Sequence, residues 1–316
     1  MKPLIRYLPQ EFFVDFIGAR IYAFAFSATL IAGSLIVVMT VGLTFGIDFA
    51  GGVKIEARAP EAVDLSPLRS SLEALGLGDV SVTTAGEEKR DVIIRVQQQE
   101  GGDAETSAAV TKIQSVLTGY EIRSSEVVGP KVGSELVIDG ALAVALALIG
   151  IAIYVWIRFE WQFALGACLS LTHDVISTIG MFALFQMEFD LNSVAAILTI
   201  AGFSINDTIV VYDRVREMMR KYKKLSLPDL LNLSLNKVLS RTLLTNFTAT
   251  LAVLALVFVG GSELRGFSLA MLWGMFIGSY STIYVALPVL VYFEFQREEM
   301  LASKPTDKQV PEYERQ

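Results

Sequence analysis

Six apolar stretches, about 21 to 45, 136 to 157, 162 to 185, 191 to 212, 242 to 260 and 267 to 293, approach or exceed the ~20 residues a helix needs to cross ~30 Å of hydrocarbon. A chain with six of them is expected to fold as an α-helical polytopic membrane protein with six transmembrane helices. Its composition agrees: 53% hydrophobic and 19% charged residues, with a mean hydropathy of +0.51, are too apolar for an ordinary soluble domain. The first stretch is too long for the core of a signal peptide, and GLTFGIDFAGG offers no small-residue cleavage site, so it reads as a retained helix. Cys168, the sole cysteine, lies in the third stretch and excludes an intrachain disulfide.

Charge sets the orientation. From Asp213 to Arg241 there are eight Lys and Arg residues against three acids, which marks that segment as cytoplasmic. Lys2, Arg6 and Arg20 before the first span and Arg297 after the last agree, so both termini are expected inside. The expected organisation is a cytoplasmic N-terminal segment 1–20, a span 21–45, an extracytoplasmic domain 48–135, and a region 136–296 holding spans two to six with a cytoplasmic loop 213–241. The cytoplasmic tail 297–316, polar and rich in Pro, Lys and Glu, has the composition of a disordered segment.

Residues 48–135 carry fifteen acids against nine bases, almost all of the chain's excess acidity. Val53, Ile55 and Ala57 alternate with Lys54, Glu56 and Arg58, which predicts a strand with one wet face. Leu65, Leu68, Leu72 and Leu75 repeat at helical spacing, strands around 80–84 and 91–97 follow, and a helix with Val110, Ile113 and Leu117 leads to a strand near 121–128. That order is a split βαβ, small ferredoxin-like α/β domain between helices 1 and 2. It contains no metal-ligand spacing, no nucleophile paired with a base and no phosphate-cradling loop, so it reads as a docking or lever domain. Gly51 and Gly52 read as turn residues.

Ionisable groups stand inside three of the apolar stretches. Asp at a helix centre costs roughly 2.5 to 3.5 kcal/mol on insertion scales, so Asp207 in FSINDTIVVY calls for a partner or a use. Asn206 precedes it, with Gly202 and Thr199 stacked at helical spacing; Arg241 leads into Thr245 and Thr248 on the next stretch. Both ionisable groups fall in the cytoplasmic half, and Arg241 has the reach for a contact with Asp207, either a protonation-controlled switch or a static buried ion pair. Ser170, Asp174 and Ser177 share one helix face, which must meet another helix or water, and His173 lies beside them. With no second His or Cys nearby, His173 and Asp174 read as hydrogen-bonded glue between helices or as a titrating pair, and no metal is expected. Gly274 and Gly278 form a GxxxG packing face.

Several stretches together resemble the SecD/SecF family of bacterial protein-export membrane subunits, on the SecF side: GIDFAGGVKIE, VGPKVGSEL, RFEWQFALGA, HDV, FSINDTIVVYDRVRE and RTLLTNFTATLAVLALVFVGG. The resemblance covers nearly the whole chain and relates it distantly to resistance-nodulation-division transporters. It implies a non-enzymatic accessory of the Sec machinery in the bacterial cytoplasmic (inner) membrane, driven by the proton gradient with no cofactor. The implied partners are SecD, here expected as a separate polypeptide, the SecYEG channel, an insertase, small accessory membrane subunits and the unfolded secretory polypeptide; no nucleic acid is implied. The family's essential carboxylate falls on Asp207 and its arginine partner on Arg241, with Asn206 adjoining; its HD pair falls on His173 and Asp174. The alternatives are a proton-coupled small-molecule or lipid transporter half, or a passive scaffold. The Gly274, Gly278 and Thr282 face and the Ser170, Asp174 and Ser177 stripe are expected to supply polar surface for packing against SecD.

Overall fold

The structure, a computed structural model, describes residues 14–78, 80–85, 88–97, 103–261 and 264–292. Helix α1 (Arg20–Thr40) leads through strand β1 (Thr44–Phe45) and a single turn α2 (Ile47–Ala50) into the α/β domain. That domain runs β2 (Gly52–Arg58), α3 (Leu65–Glu73), β3 (Val80–Ala85), β4 (Asp91–Gln97), α4 (Asp103–Val116) and β5 (Glu121–Val128). Then come α5 (Pro130–Arg158), α6 (Trp161–Phe185), strand β6 (Glu188–Phe189), α7 (Leu191–Lys221), α8 (Leu227–Val259) and α9 (Arg265–Ser281). The last helix continues through a π-helical turn, Thr282–Ala286, to Val289. Among the described residues, six helices, α1 and α5 to α9, are long and apolar enough to cross a membrane. The tail 297–316 lies outside the described residues.

The sheet order β3-β4-β2-β5, antiparallel throughout, is the ferredoxin-like arrangement. Val53, Ile55, Val92, Ile94 and Val96 pack on one face against Leu68 and Leu72 of α3, Ile113 of α4 and Leu117 just past its end. Asp64 caps α3 by accepting from the Ser66 amide at 3.0 Å. Gly51 and Gly52 hold φ of +74° and +131°, a conformation side chains resist, where the chain turns from α2 into β2.

The face of β2 expected to be wet is covered. Lys54 is only 8% exposed, because that side of the sheet sits on the loop between α6 and α7. Arg95 donates from Nε to Glu188 Oε1 at 3.0 Å and from its second nitrogen to Oε2, and β1 pairs in parallel with β6. The period-two reading of β2 is right; the solvent was replaced by the rest of the chain. Burial pushes the Glu188 carboxyl above its usual range, outweighing the opposing pull of Arg95 and Lys54. The seated domain therefore binds a proton at Glu188 more tightly than an unseated one, so seating strengthens as pH falls through the raised value toward the ordinary carboxylate range. Hydrogen exchange of β4 amides, corrected for intrinsic rate, is expected to slow toward acid in the native chain and to lose that dependence in Glu188→Gln; faster exchange in acid would contradict the seating.

Helices α7 and α8 extend past the apolar stretches. The segment 213–241, expected as a loop, is helical except for the turn at 222–226, since Val215, Met218 and Met219 of α7 pack against Leu230, Leu231 and Leu235 of α8. Ser226 caps α8, accepting from the Asp229 amide at 3.3 Å. Charge marks where the membrane ends, and here the helix does not end with it. Near the other end of the chain, Pro288 lacks the N–H that would reach Tyr284, and the π-helical turn just before it loosens the backbone there. Tyr212 Oη donates to the Ala286 carbonyl at 3.3 Å.

Small residues let the helices approach closely. A Cβ on Gly274 would stand 2.3 Å from Ile200 Cγ1, and one on Gly278 would stand 3.1 Å from Ser204 Cβ, so α9 lies directly on α7. Gly274→Ala is expected to cost about 1–3 kcal/mol by overpacking against fully buried Ile200, seen as a lowered unfolding temperature in detergent.

Candidate functional site: buried carboxylates around the central helix

Helix α7 is fixed at its start by reciprocal hydrogen bonds. Asp190 accepts from the Ser193 amide at 2.8 Å while Ser193 Oγ accepts from the Asp190 amide at 3.2 Å, and Asp48 Oδ2 accepts from the Leu191 amide at 3.0 Å. The helix then passes through the bundle carrying Ser204, Asp207 and Thr208 inward; all three are buried.

The first carboxylate is Asp174, 0% exposed on α6. Its Oδ2 accepts from Ser204 Oγ of α7 at 2.6 Å and Ser281 Oγ of α9 at 2.8 Å, and its Oδ1 lies 3.1 Å from His173 Nδ1. Ser170 Oγ donates to Ser281 Oγ at 2.8 Å, and Ser177 Oγ accepts from Trp273 Nε1 at 3.0 Å. One carboxylate thus ties three helices together. His173 Nε2 is buried without a hydrogen-bond partner among the described residues, and its ring lies 6.0 Å from that of Tyr280. Thr208 and Thr282 pair at 2.8 Å.

Contrary to expectation, these residues supply no polar surface to an outside partner: Ser170, Asp174, Ser177, Gly274, Gly278 and Thr282 are all buried inside this chain's own bundle. Ser204 and Ser281, the donors to Asp174, are short and common in membrane helices, so residue type alone does not mark them. Their placement on the inward faces of α7 and α9 is the signal that would have found them.

The second carboxylate is Asp207, 6% exposed. The direct contact expected with Arg241 does not form. Asn246 Nδ2 donates to Asp207 Oδ2 at 3.1 Å and to Ser279 Oγ at 2.6 Å, which joins α7, α8 and α9. Arg241 is exposed, makes no ion pair among the described residues and acts on the carboxylate through space alone. Five residues separate it from Asn246, about 7.5 Å along α8, so the asparagine is level with Asp207 and the arginine lies nearer the basic end. Asn246 carries no charge, which is why the sequence pattern pointed past it to Arg241.

Asn206 is exposed as well, turned from Asp207 by the ~100° between consecutive helical residues. With Thr199 and Gly202 it forms an exposed polar stripe on α7, beside exposed Arg241, Thr245 and Thr248 on α8. Thr199, Thr245 and Thr248 satisfy their hydroxyls on backbone carbonyls one turn back. No group of three or more His, Cys, Asp or Glu among the described residues is placed to hold a metal.

Among the described residues, six helices long and apolar enough to span a membrane, with two buried carboxylates between them and an α/β domain seated on one end, define a polytopic membrane protein. Residues 108–296 match the model of the family described as protein export membrane protein SecD/SecF, C-terminal, and residues 36–59 match the SecD/SecF GG motif. The chain is 43% identical over 302 residues to the protein translocase subunit SecF of Cereibacter sphaeroides, covering 93% of each. It is 42% identical over 311 residues to the protein translocase subunit SecDF of Brucella abortus, covering 98% of this chain and 41% of that one. The crystal structure of Thermus SecDF, described as a translocon-associated membrane protein, superposes with a TM-score of 0.79 at 36% identity, covering 92% of this chain and 39% of that chain. The chain therefore belongs to the SecD/SecF family, whose members are subunits of the protein translocation machinery, and it spans about two fifths of the fused SecDF chains it matches.

Proposed function

We propose that the chain works with a SecD partner as a proton-driven subunit that promotes export of unfolded secretory polypeptides through the SecYEG channel. The observation that carries the proposal is Asp207: a carboxylate 6% exposed, midway along a membrane-spanning helix, held by one neutral amide with Arg241 nearby and unpaired among the described residues. Moving one charge across 100 mV is worth ~2.3 kcal/mol, which matches the roughly 1.5–3 kcal/mol of a hydrogen bond to a charged group. The gradient is thus strong enough to make or break the Asn246 bond as Asp207 is protonated and released. Helix α7 is the lever. Its far end is capped by Asp48 and Asp190 next to the Arg95 and Glu188 pair, so a shift at Asp207 reaches the α/β domain.

The Lys and Arg excess at the α7–α8 turn supports a bacterial cytoplasmic membrane topology with both termini inside and the acidic domain facing exported chains. The exposed stripe of Thr199, Gly202, Asn206, Arg241, Thr245 and Thr248 supports the SecD partnership. Arg241 stands at the mouth of the apolar stretch, and a homologous six-helix half packed about a pseudo-symmetry axis would cover it together with the rest of the polar stripe. A cysteine at Asn206 is expected to cross-link to SecD, or to be shielded by it from membrane-permeant thiol reagents. Equal shielding of that cysteine with and without SecD would remove the pairing.

A further inference from the structure

A cavity of about 670 Å³ lies between the underside of the sheet and the outer ends of α6 and α9, within the range of small-ligand sites. None of Asp207, Asn246 and Arg241 lines it. Its walls divide sharply. One side carries Lys54, Glu56, Arg95, Glu188, Asp190 and Arg265; the other carries Met181, Phe185, Leu269, Leu272, Trp273 and Phe276. Phe185 and Phe276 are 64% and 66% exposed on membrane-spanning helices, so the apolar wall opens sideways toward acyl chains while the charged wall sits at the headgroup level.

We propose that this cavity binds one phospholipid with a zwitterionic, primary-ammonium headgroup: its phosphate on Arg265, its ammonium among the Glu56 and Glu188 carboxylates, and its chains along Phe185, Leu269 and Phe276. Charge complementarity selects that occupant. The rim holds three cations and three carboxylates and is neutral as a whole, so a net anionic headgroup gains little from it. Arg265 is exposed, with no ion pair among the described residues, and offers a planar fork suited to a phosphodiester. A primary ammonium has three N–H donors for the carboxylates, whereas a choline headgroup has none. The cavity shares no residue with the Asp207, Asn246 and Arg241 cluster, although Arg95, Glu188 and Asp190 of its charged wall also link α7 to the α/β domain, so the lipid test reads occupancy without reference to proton flux.

The test uses the full chain in nanodiscs of equimolar phosphatidylethanolamine, phosphatidylcholine and phosphatidylglycerol with identical acyl chains, followed by extraction into detergent and mass spectrometry of the retained lipid. Phosphatidylethanolamine is expected to be enriched over phosphatidylcholine by about fivefold, the ratio set by one hydrogen bond of ordinary strength. Arg265→Gln, at an exposed position, and Leu269→Trp, which fills the apolar wall, are each expected to bring the ratio near one. Equal retention of the three lipids, preference for phosphatidylglycerol, or enrichment that survives both substitutions would overturn the proposal. So would saturation of the cavity by an apolar peptide that phosphatidylethanolamine does not displace.

Discussion

Asp174→Ala destabilises the bundle by about 2–4 kcal/mol, read as a marked fall in the unfolding temperature in detergent and in the amount of intact protein in the membrane. Ser204 Oγ loses its acceptor and His173 loses the partner of Nδ1, both on groups no more than 1% exposed, while Ser281 Oγ loses its bond across the helices and falls back on the Gly278 carbonyl at 3.1 Å. An orphaned buried polar group costs roughly 1–3 kcal/mol in water-soluble proteins, and interhelical bonds in membranes average nearer 0.6 kcal/mol, so two orphaned groups and one lost interhelical bond give the range above. Asp174→Asn keeps one acceptor and is expected to lose about half as much. An unchanged unfolding temperature in both variants would mean that the three helices are held together by the Gly274 and Gly278 packing alone.

The polar groups within the spans were legible as residues and less so as partners. Asp207, Asp174 and Arg241 stand out because a charge in an apolar run is costly wherever it points. Which helix answers that charge depends on rotation and depth. Asn246 is level with Asp207 in a helix, α8, that starts at Leu227, about four turns before the apolar stretch, and no charge count locates that start. The Ser170, Asp174 and Ser177 stripe was correctly read as needing a polar neighbour, yet periodicity cannot say whether that neighbour belongs to the same chain. The small domain was read more completely, from its alternating strands and leucine-spaced helix. Its one misreading was the Lys54 and Glu56 face, where solvent and a charged loop bearing Glu188 produce the same alternation.

Asp207→Asn is expected to leave insertion, folding and assembly intact and to abolish the gradient-dependent part of export. Asparagine is nearly isosteric, and Asn246 can turn its amide to keep a hydrogen bond with it, so the structural cost is small. What disappears is the ability to exchange a proton at 6% exposure in the centre of α7. Arg241→Lys is expected to stay close to the native chain, because Arg241 makes no hydrogen bond to Asp207 and a lysine keeps its charge, whereas Arg241→Met is expected to fall between the native chain and Asp207→Asn. Export that still responds to the gradient in Asp207→Asn would leave Asp207 a packing residue.

The most direct measurement is proton entry into proteoliposomes that contain the chain with its SecD partner and a stalled secretory polypeptide, under an imposed gradient. The account predicts a proton flux in the native complex that falls to the level of protein-free vesicles in Asp207→Asn, while the variant complex remains assembled. Equal flux in the two, or none in either alongside normal export, would contradict it and leave the chain as a scaffold.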